Sequence, residues 1–144
     1  MWDRLGHWLK RASGETAPGT ERHLALAVVM AEAARADFER SPVELATIAR
    51  ALTDAFGMAA AEAEALVDEA VRRADSAISM HEFVGTLNRE LDADGKARLI
   101  GWLWRIANAD GRIDAQEEGM IRRMADLLYV PHSVLVQQRL ATLD

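Results

Sequence analysis

The chain has 144 residues, no cysteine and a formal net charge of −6. That length suits one domain, and a composition that is half hydrophobic and 28% charged is typical of globular proteins. The lack of cysteine excludes disulfides, thiolate metal sites and a cysteine nucleophile, and the acidic balance argues against a nucleic-acid partner. Alanine at 27 positions, against nine glycines and three prolines, favours an all-α fold.

Residues 1–12 predict an N-terminal amphipathic helix. Trp2, Leu5, Leu9 and Ala12 share one helical face, while the basic residues lie elsewhere. Such a helix either folds back over the core or docks on a partner, including a protein partner at the inner membrane. No stretch has the apolar length of a transmembrane helix or the apolar run of a signal peptide, which predicts a cytoplasmic protein, at most peripheral to the inner membrane.

Residues 13–19 have mostly small or polar side chains and include proline and glycine, so they predict a linker before a helical domain at 20–144. From Thr20 onward the apolar residues recur with the period of a helix. The pattern predicts seven helices in this domain, or eight with the N-terminal one, at 20–37, 42–57, 60–74, 79–91, 94–109, 115–129 and 132–142.

An internal repeat emerges when the chain is shifted by 73 residues. Ser41 then falls on Asp114 and Glu44 on Glu117, and both pairs have the spacing of a helix capping box. The same shift matches further pairs, which are Asp37 with Asp110, Ile48 with Ile121, Arg50 with Arg123, Phe56 with Tyr129 and Met58 with Pro131. We therefore expect a single compact bundle built from two pseudo-symmetric repeats, because one unit alone would leave its apolar faces exposed.

The loop before the second capping box resembles a calcium-binding loop of the EF-hand type. Asn108, Asp110, Asp114 and Glu117 fall on the third, fifth, ninth and twelfth positions of that pattern, although Ile106 occupies its first ligand position. Oxygen ligands suit hard cations, so the sequence predicts a divalent cation, with calcium or magnesium favoured over zinc.

The corresponding first loop keeps Asp37 and Glu44 but has Phe38 where the second loop has glycine. A second interpretation covers both loops. The aspartates and glutamates would then cap the following helices, with no metal involved. Both interpretations stay open at this point, and one carboxylate can serve both roles.

Catalytic signatures are missing from the sequence. The four histidines lack the spacing of a zinc hydrolase, and no nucleophile elbow, P-loop or dinucleotide fingerprint is present. The sequence therefore predicts a non-enzymatic protein with no organic cofactor and no small-molecule substrate.

Two runs of the sequence resemble the two halves of TerB-family tellurite-resistance proteins, and the chain is most similar to the short standalone bacterial members. These runs are AEAARADFERSPVELATIARAL and LWRIANADGRIDAQEEGMIRRMADLLYVPHS, and the resemblance covers residues 20–142. It implies an all-helical fold of pseudo-symmetric halves, a divalent cation on acidic residues and a role in tellurite and other chemical stress. Carried over to this chain, the implied ligands are Asp110, Asp114 and Glu117, with Asp37 and Glu44 from the first loop.

Two functional hypotheses follow. In the first, the chain is a TerB-like module that binds a divalent cation and acts in stress response. In the second, it is a metal-free adaptor whose N-terminal helix and acidic face recruit a protein partner. The oligomeric state is not predicted by either.

Overall fold

A computed structural model describes residues 20–34, 41–76, 80–109 and 111–143. The described residues form seven helices and no strand, so the predicted all-α class is confirmed. The helices are α1 (Thr20–Ala34), α2 (Pro42–Arg50), α3 (Ala60–Asp75), α4 (Met80–Glu90), α5 (Ala93–Ala107), α6 (Ala115–Leu127) and α7 (His132–Leu143). None of them is long and apolar enough to cross a membrane. The predicted N-terminal helix and linker, residues 1–19, lie outside the described residues.

Helix α1 is the centre of the bundle. Its residues from Ala25 to Ala31 are fully buried, because the helix contacts α3, α4 and α5 on different sides. A helix that is apolar on all sides is stable only when it is surrounded by protein. The alanines of α1 let the neighbouring helices approach closely.

Helix α5 has the corresponding role in the second half of the chain. It contacts α6 and α7, and it also packs on α1 and α2. Trp104 of α5 is 1% exposed, and its indole Nε1 donates a hydrogen bond to the Leu135 carbonyl of α7 at 3.1 Å. Since α2 touches α5 and α6 touches α1, the two halves share one hydrophobic core.

Helix α2 continues into a single wide turn of π-helix at Ala51–Ala55. After this turn Gly57 adopts a positive φ of 73°, and the Met58 N–H donates to the Leu52 carbonyl. Helix α6 ends without a π-turn, and there the residue with a positive φ is Tyr129, at 59°. A π-turn holds one residue more than an α-turn.

The residues of positive φ give the two helix ends a different offset from that of the sequence shift. Aligning the two residues of positive φ matches Gly57 with Tyr129, at an offset of 72, whereas the sequence shift of 73 matched Phe56 with Tyr129 and Met58 with Pro131. The extra residue in the π-turn accounts for the difference. The duplication of the helical unit itself stays a prediction.

Candidate metal site

The second acidic loop leads into a complete capping box at the start of α6. The Oδ1 atom of Asp114 accepts a hydrogen bond from the Glu117 N–H at 2.8 Å, and the Glu117 Oε1 atom accepts from the Asp114 N–H at 3.5 Å. The loop reaches this cap through Gly111, whose φ of 91° is costly for any residue with a side chain. Capping therefore fixes the conformation of both carboxyl groups without a metal.

The first loop ends in the same arrangement at the start of α2. Ser41 Oγ accepts from the Glu44 N–H, and Glu44 Oε1 accepts from the Ser41 N–H, both at 3.1 Å. Pro42 supplies a φ suited to the first turn of a helix and lacks the N–H that would otherwise be unpaired there. Each capping box thus uses one oxygen of its glutamate and leaves the other oxygen available.

The two capping-box glutamates meet inside the bundle. Glu44 and Glu117 are each 4% exposed, and their side chains lie within hydrogen-bond reach of each other. The Oε2 atom of Glu117 is buried, and no donor of the described residues reaches it. Two carboxyl groups form a hydrogen bond only when one of them carries a proton, so this contact requires either a shared proton or a cation.

Burial, together with the hydrogen bond and the negative charge of Glu44, raises the pKa of Glu117 to about 8. The hydrogen bond from the Asp114 backbone acts the opposite way, whereas the charge of Asp114 adds to the increase. The physical cause is the loss of hydration, because a buried carboxylate beside a second acid loses its contact with water. At neutral pH the pair therefore retains a proton unless a cation replaces it.

The predicted ligands fall into two groups. Glu44, Asp114 and Glu117 come together around the two capping boxes, and Asn108 lies at the end of α5, where its carbonyl accepts from the Gly111 N–H at 2.9 Å. Asp37 and Asp110 lie outside the described residues. Within the described residues alone, no group of three or more acidic, histidine or cysteine side chains has the geometry of a metal site.

Ile106, which takes the first ligand position of the EF-hand pattern, is fully buried in α5. It is a core residue, so the described loop departs from a calcium loop at that position. The described residues offer a cation two oxygen donors: the Oε2 atom of Glu117, which accepts no hydrogen bond from them, and the neighbouring carboxyl group of Glu44. Both are hard oxygen donors, which fits calcium or magnesium.

The contact between Glu44 and Glu117 was not predicted from the sequence, which assigned the two residues to separate loops. One signal pointed to it: both are the third residue of a capped helix, at equivalent positions of the proposed repeat. The structure brings them together because α2 packs on α5 and α6 packs on α1, within one shared core.

Comparison with known proteins identifies the family. The family model for tellurite resistance protein TerB matches residues 23–140, from within α1 to within α7. No curated protein and no solved structure matches the chain. The match covers most of the sequence, including both capping boxes and both acidic loops. The chain therefore belongs to the TerB family of tellurite resistance proteins.

Proposed function

We propose that this protein is a non-enzymatic module that binds a divalent cation at the Glu44–Glu117 pair. The observation that supports the proposal is the Glu117 Oε2 atom, which is buried and has no donor among the described residues, on a side chain that lies beside the carboxyl group of Glu44. A buried polar atom without a partner costs free energy, and the cost is larger when the group is charged. A dication between the two carboxylates offsets that cost.

The remaining ligands come from residues around the pair. Asp114 and Asn108 flank it on the second loop, and Asp37 and Asp110 precede the two capped helices in the sequence. An oxygen-only set of this kind suits calcium or magnesium, which bind through carboxylates, amide carbonyls and water. Zinc prefers sites with histidine or thiolate ligands.

The biological setting follows from the family. TerB proteins are described as tellurite resistance proteins, and we propose that this chain acts in the response to tellurite or related chemical stress. No organic cofactor is part of the proposal, and its setting is the cytoplasm.

Calorimetric titration tests the cation site directly. Calcium, magnesium and zinc are titrated at pH 7 into the chelator-treated full chain, in two buffers with different ionisation enthalpies. We expect saturable binding of calcium or magnesium with release of a proton, because the cation displaces the proton of the pair. Glu117→Gln should abolish binding, and Glu82→Gln on α4 is the control of equal charge. No heat with any of the three ions rules out the site.

A second candidate function is a metal-free adaptor that recruits a protein partner, including one at the inner membrane. The observation that favours it is that both capping boxes are complete without a cation, so the acidic residues already have a structural role. The experiment is a pull-down with the full chain and with the chain lacking residues 1–12, each with and without chelator. The adaptor function is supported if the full chain recovers the partner equally well with and without chelator, and if the truncated chain does not recover it.

A further inference from the structure

A groove runs along the surface between α2 and α3, with a volume of about 540 Å³. Its floor is apolar and made of small side chains, since Ala46, Ala49 and Ala60 line it together with Leu45 and Val67. Alanines leave room for large side chains to enter from outside. An open apolar groove of this size is a typical docking surface for an amphipathic helix.

The rim of the groove is negatively charged. Glu64 and Asp68 stand one helical turn apart on α3, both are exposed, and neither forms an ion pair with a described residue. Arg50, on the α2 side, lies 3.8 Å from Asp54, which partly neutralises it. The unpaired charge at the rim is therefore acidic, and the groove favours a basic occupant.

The chain contains a segment with that chemistry. Residues 1–12 hold three basic residues against one acid, in a protein whose overall charge is −6. On a helix, Trp2, Leu5, Leu9 and Ala12 share one apolar face with Trp8 at its edge, and Arg4 and Arg11 lie beyond Trp8 on that side. Tryptophan and leucine side chains complement an alanine floor in size.

The segment is also tethered close to the groove. Burial and the charge of Arg22 lower the pKa of His23, in the first turn of α1, while the charge of Glu62 on α3 acts in the opposite direction. The first turns of α1 and α3 are therefore neighbours, and Glu64 lies in the same part of α3. The linker at 13–19 spans up to about 23 Å when extended, whereas Glu62 and Asp68 are only about 9 Å apart along their helix.

We propose that residues 1–12 bind as a helix in the groove between α2 and α3 of the same chain. The apolar face of this helix packs on the alanine floor, and Arg4 and Arg11 lie toward Glu64 and Asp68. This arrangement covers the apolar surface of the groove and pairs the acids of its rim. It is independent of the cation site, because no residue of the Glu44–Glu117 pair lines the groove.

A spin-label experiment on the full chain tests the proposal. The protein has no cysteine, so Ala46→Cys supplies a unique labelling site in the groove, and Ser133→Cys supplies an exposed control at the start of α7. We expect a label at position 46 to broaden the indole signals of Trp2 and Trp8 until they are lost, and a label at position 133 to leave them sharp. Sharp signals with both labels overturn the proposal.

The charges are tested by reversal and rescue. Glu64→Arg combined with Asp68→Arg should restore the Trp2 and Trp8 signals in the labelled chain, and adding Arg4→Glu and Arg11→Glu should broaden them again. Glu82→Arg with Glu90→Arg, on exposed positions of α4, makes the same change of charge outside the groove and should have no effect. Broadening that is unchanged by the reversal contradicts the pairing of charges.

Binding between chains is the remaining alternative. Isotope-labelled chain without a spin label is mixed with unlabelled chain that carries the label at position 46. Sharp Trp2 and Trp8 signals in the mixture are expected for docking within one chain. Broadening in the mixture, together with a dimer mass by light scattering, assigns the groove to a second copy and overturns the proposal.

Discussion

The carboxyl group of Glu117 faces that of Glu44 in the interior of the bundle, and both residues are the third of a capped helix. Each glutamate is held by a backbone N–H of its own capping box, from Ser41 in one case and Asp114 in the other. Neither side chain turns away to water without breaking its cap. The two acids are thus kept together, although their mutual repulsion opposes it when both are ionised.

The first prediction concerns pH. The pKa of Glu117 is raised in the folded chain to about 8, whereas in the unfolded chain it returns to about 4.3. Between these values the folded state holds a proton that the unfolded state has released, so the free energy of unfolding falls as pH rises from about 4.3 to 8. The stabilisation is fully present below this window. Urea titrations in chelator across the window measure it.

Other groups titrate in the same range, so a control is needed. The lowered pKa of His23 has the opposite effect, because its stabilising contribution is present above about 6.5 and is lost as pH falls from there through the lowered pKa of the folded state. The Glu117→Gln variant keeps His23 and removes only the raised acid. The difference between the two pH profiles therefore isolates Glu117, and parallel profiles would contradict the raised pKa.

The second prediction separates stability from cation binding. Glu44→Gln replaces one acid of the pair with an amide, which donates a hydrogen bond to the Glu117 Oε2 atom and removes the repulsion. At pH 8 without cation we expect this variant to unfold at higher urea than the natural chain. Its affinity for calcium should fall at least tenfold, because a ligand charge is lost. A variant that is both less stable and unchanged in affinity would refute the interpretation.

The third prediction separates the role of Asp114 as a helix cap from its role as a metal ligand. Asp114→Ala removes the capping oxygen and should cost about 1 kcal/mol of unfolding free energy, as is usual for an N-cap. Asp114→Asn keeps an oxygen for the Glu117 N–H and should stay within a few tenths of a kcal/mol of the natural chain. Urea denaturation measures both.

Calorimetry on the same two variants then reports on the metal. If Asp114 is a ligand, Asp114→Asn weakens calcium binding despite its normal stability. Ser41→Ala provides the matched control, since it removes the N-cap of α2 without changing a charge. If Asp114→Asn and the natural chain bind calcium with equal affinity, Asp114 is a capping residue and not a calcium ligand.

The fourth prediction concerns the ends of α2 and α6. Tyr129 has a positive φ of 59° and is 80% exposed, with Lys96 Nζ 5.9 Å from its ring centre. Tyr129→Gly should raise the unfolding free energy by about 1 kcal/mol, because glycine adopts this backbone conformation without strain and the exposed ring contributes little. Gly57→Ala should lower it by about 1 kcal/mol for the same reason.

A helical glycine supplies the control for those two variants. Gly119 lies within α6, and a Cβ there would meet nothing within 4 Å. Gly119→Ala should therefore stabilise the protein by up to about 1 kcal/mol through helix propensity alone. If Gly57→Ala behaves like Gly119→Ala, the left-handed turn after the π-helix is not under strain.

Much of the fold was predictable because local signals marked the helix ends. Ser41 with Pro42, and Asp114 three residues before Glu117, gave the starts of α2 and α6 to the residue. The π-turn was not predictable, because nothing in the amino-acid sequence of residues 51–55 distinguishes a π-turn from an α-turn.

The candidate site was predicted in part, for a different physical reason. Residue type and spacing identified Glu44, Asp114 and Glu117 as acids at helix starts. Their burial and the meeting of Glu44 with Glu117 depend on how α2 and α6 pack across the core, which is a long-range property. Spacing along one loop does not contain that information.

The π-turn at Ala51–Ala55 has a consequence for how the two halves of the molecule differ. An added residue in a helix rotates everything after it by about 100° unless the helix absorbs it in a widened turn. Here the widening lies downstream of Glu44, so the orientation of the carboxyl group is set before the irregularity begins. The protein can therefore vary α3 and its groove by insertion without disturbing the acid pair.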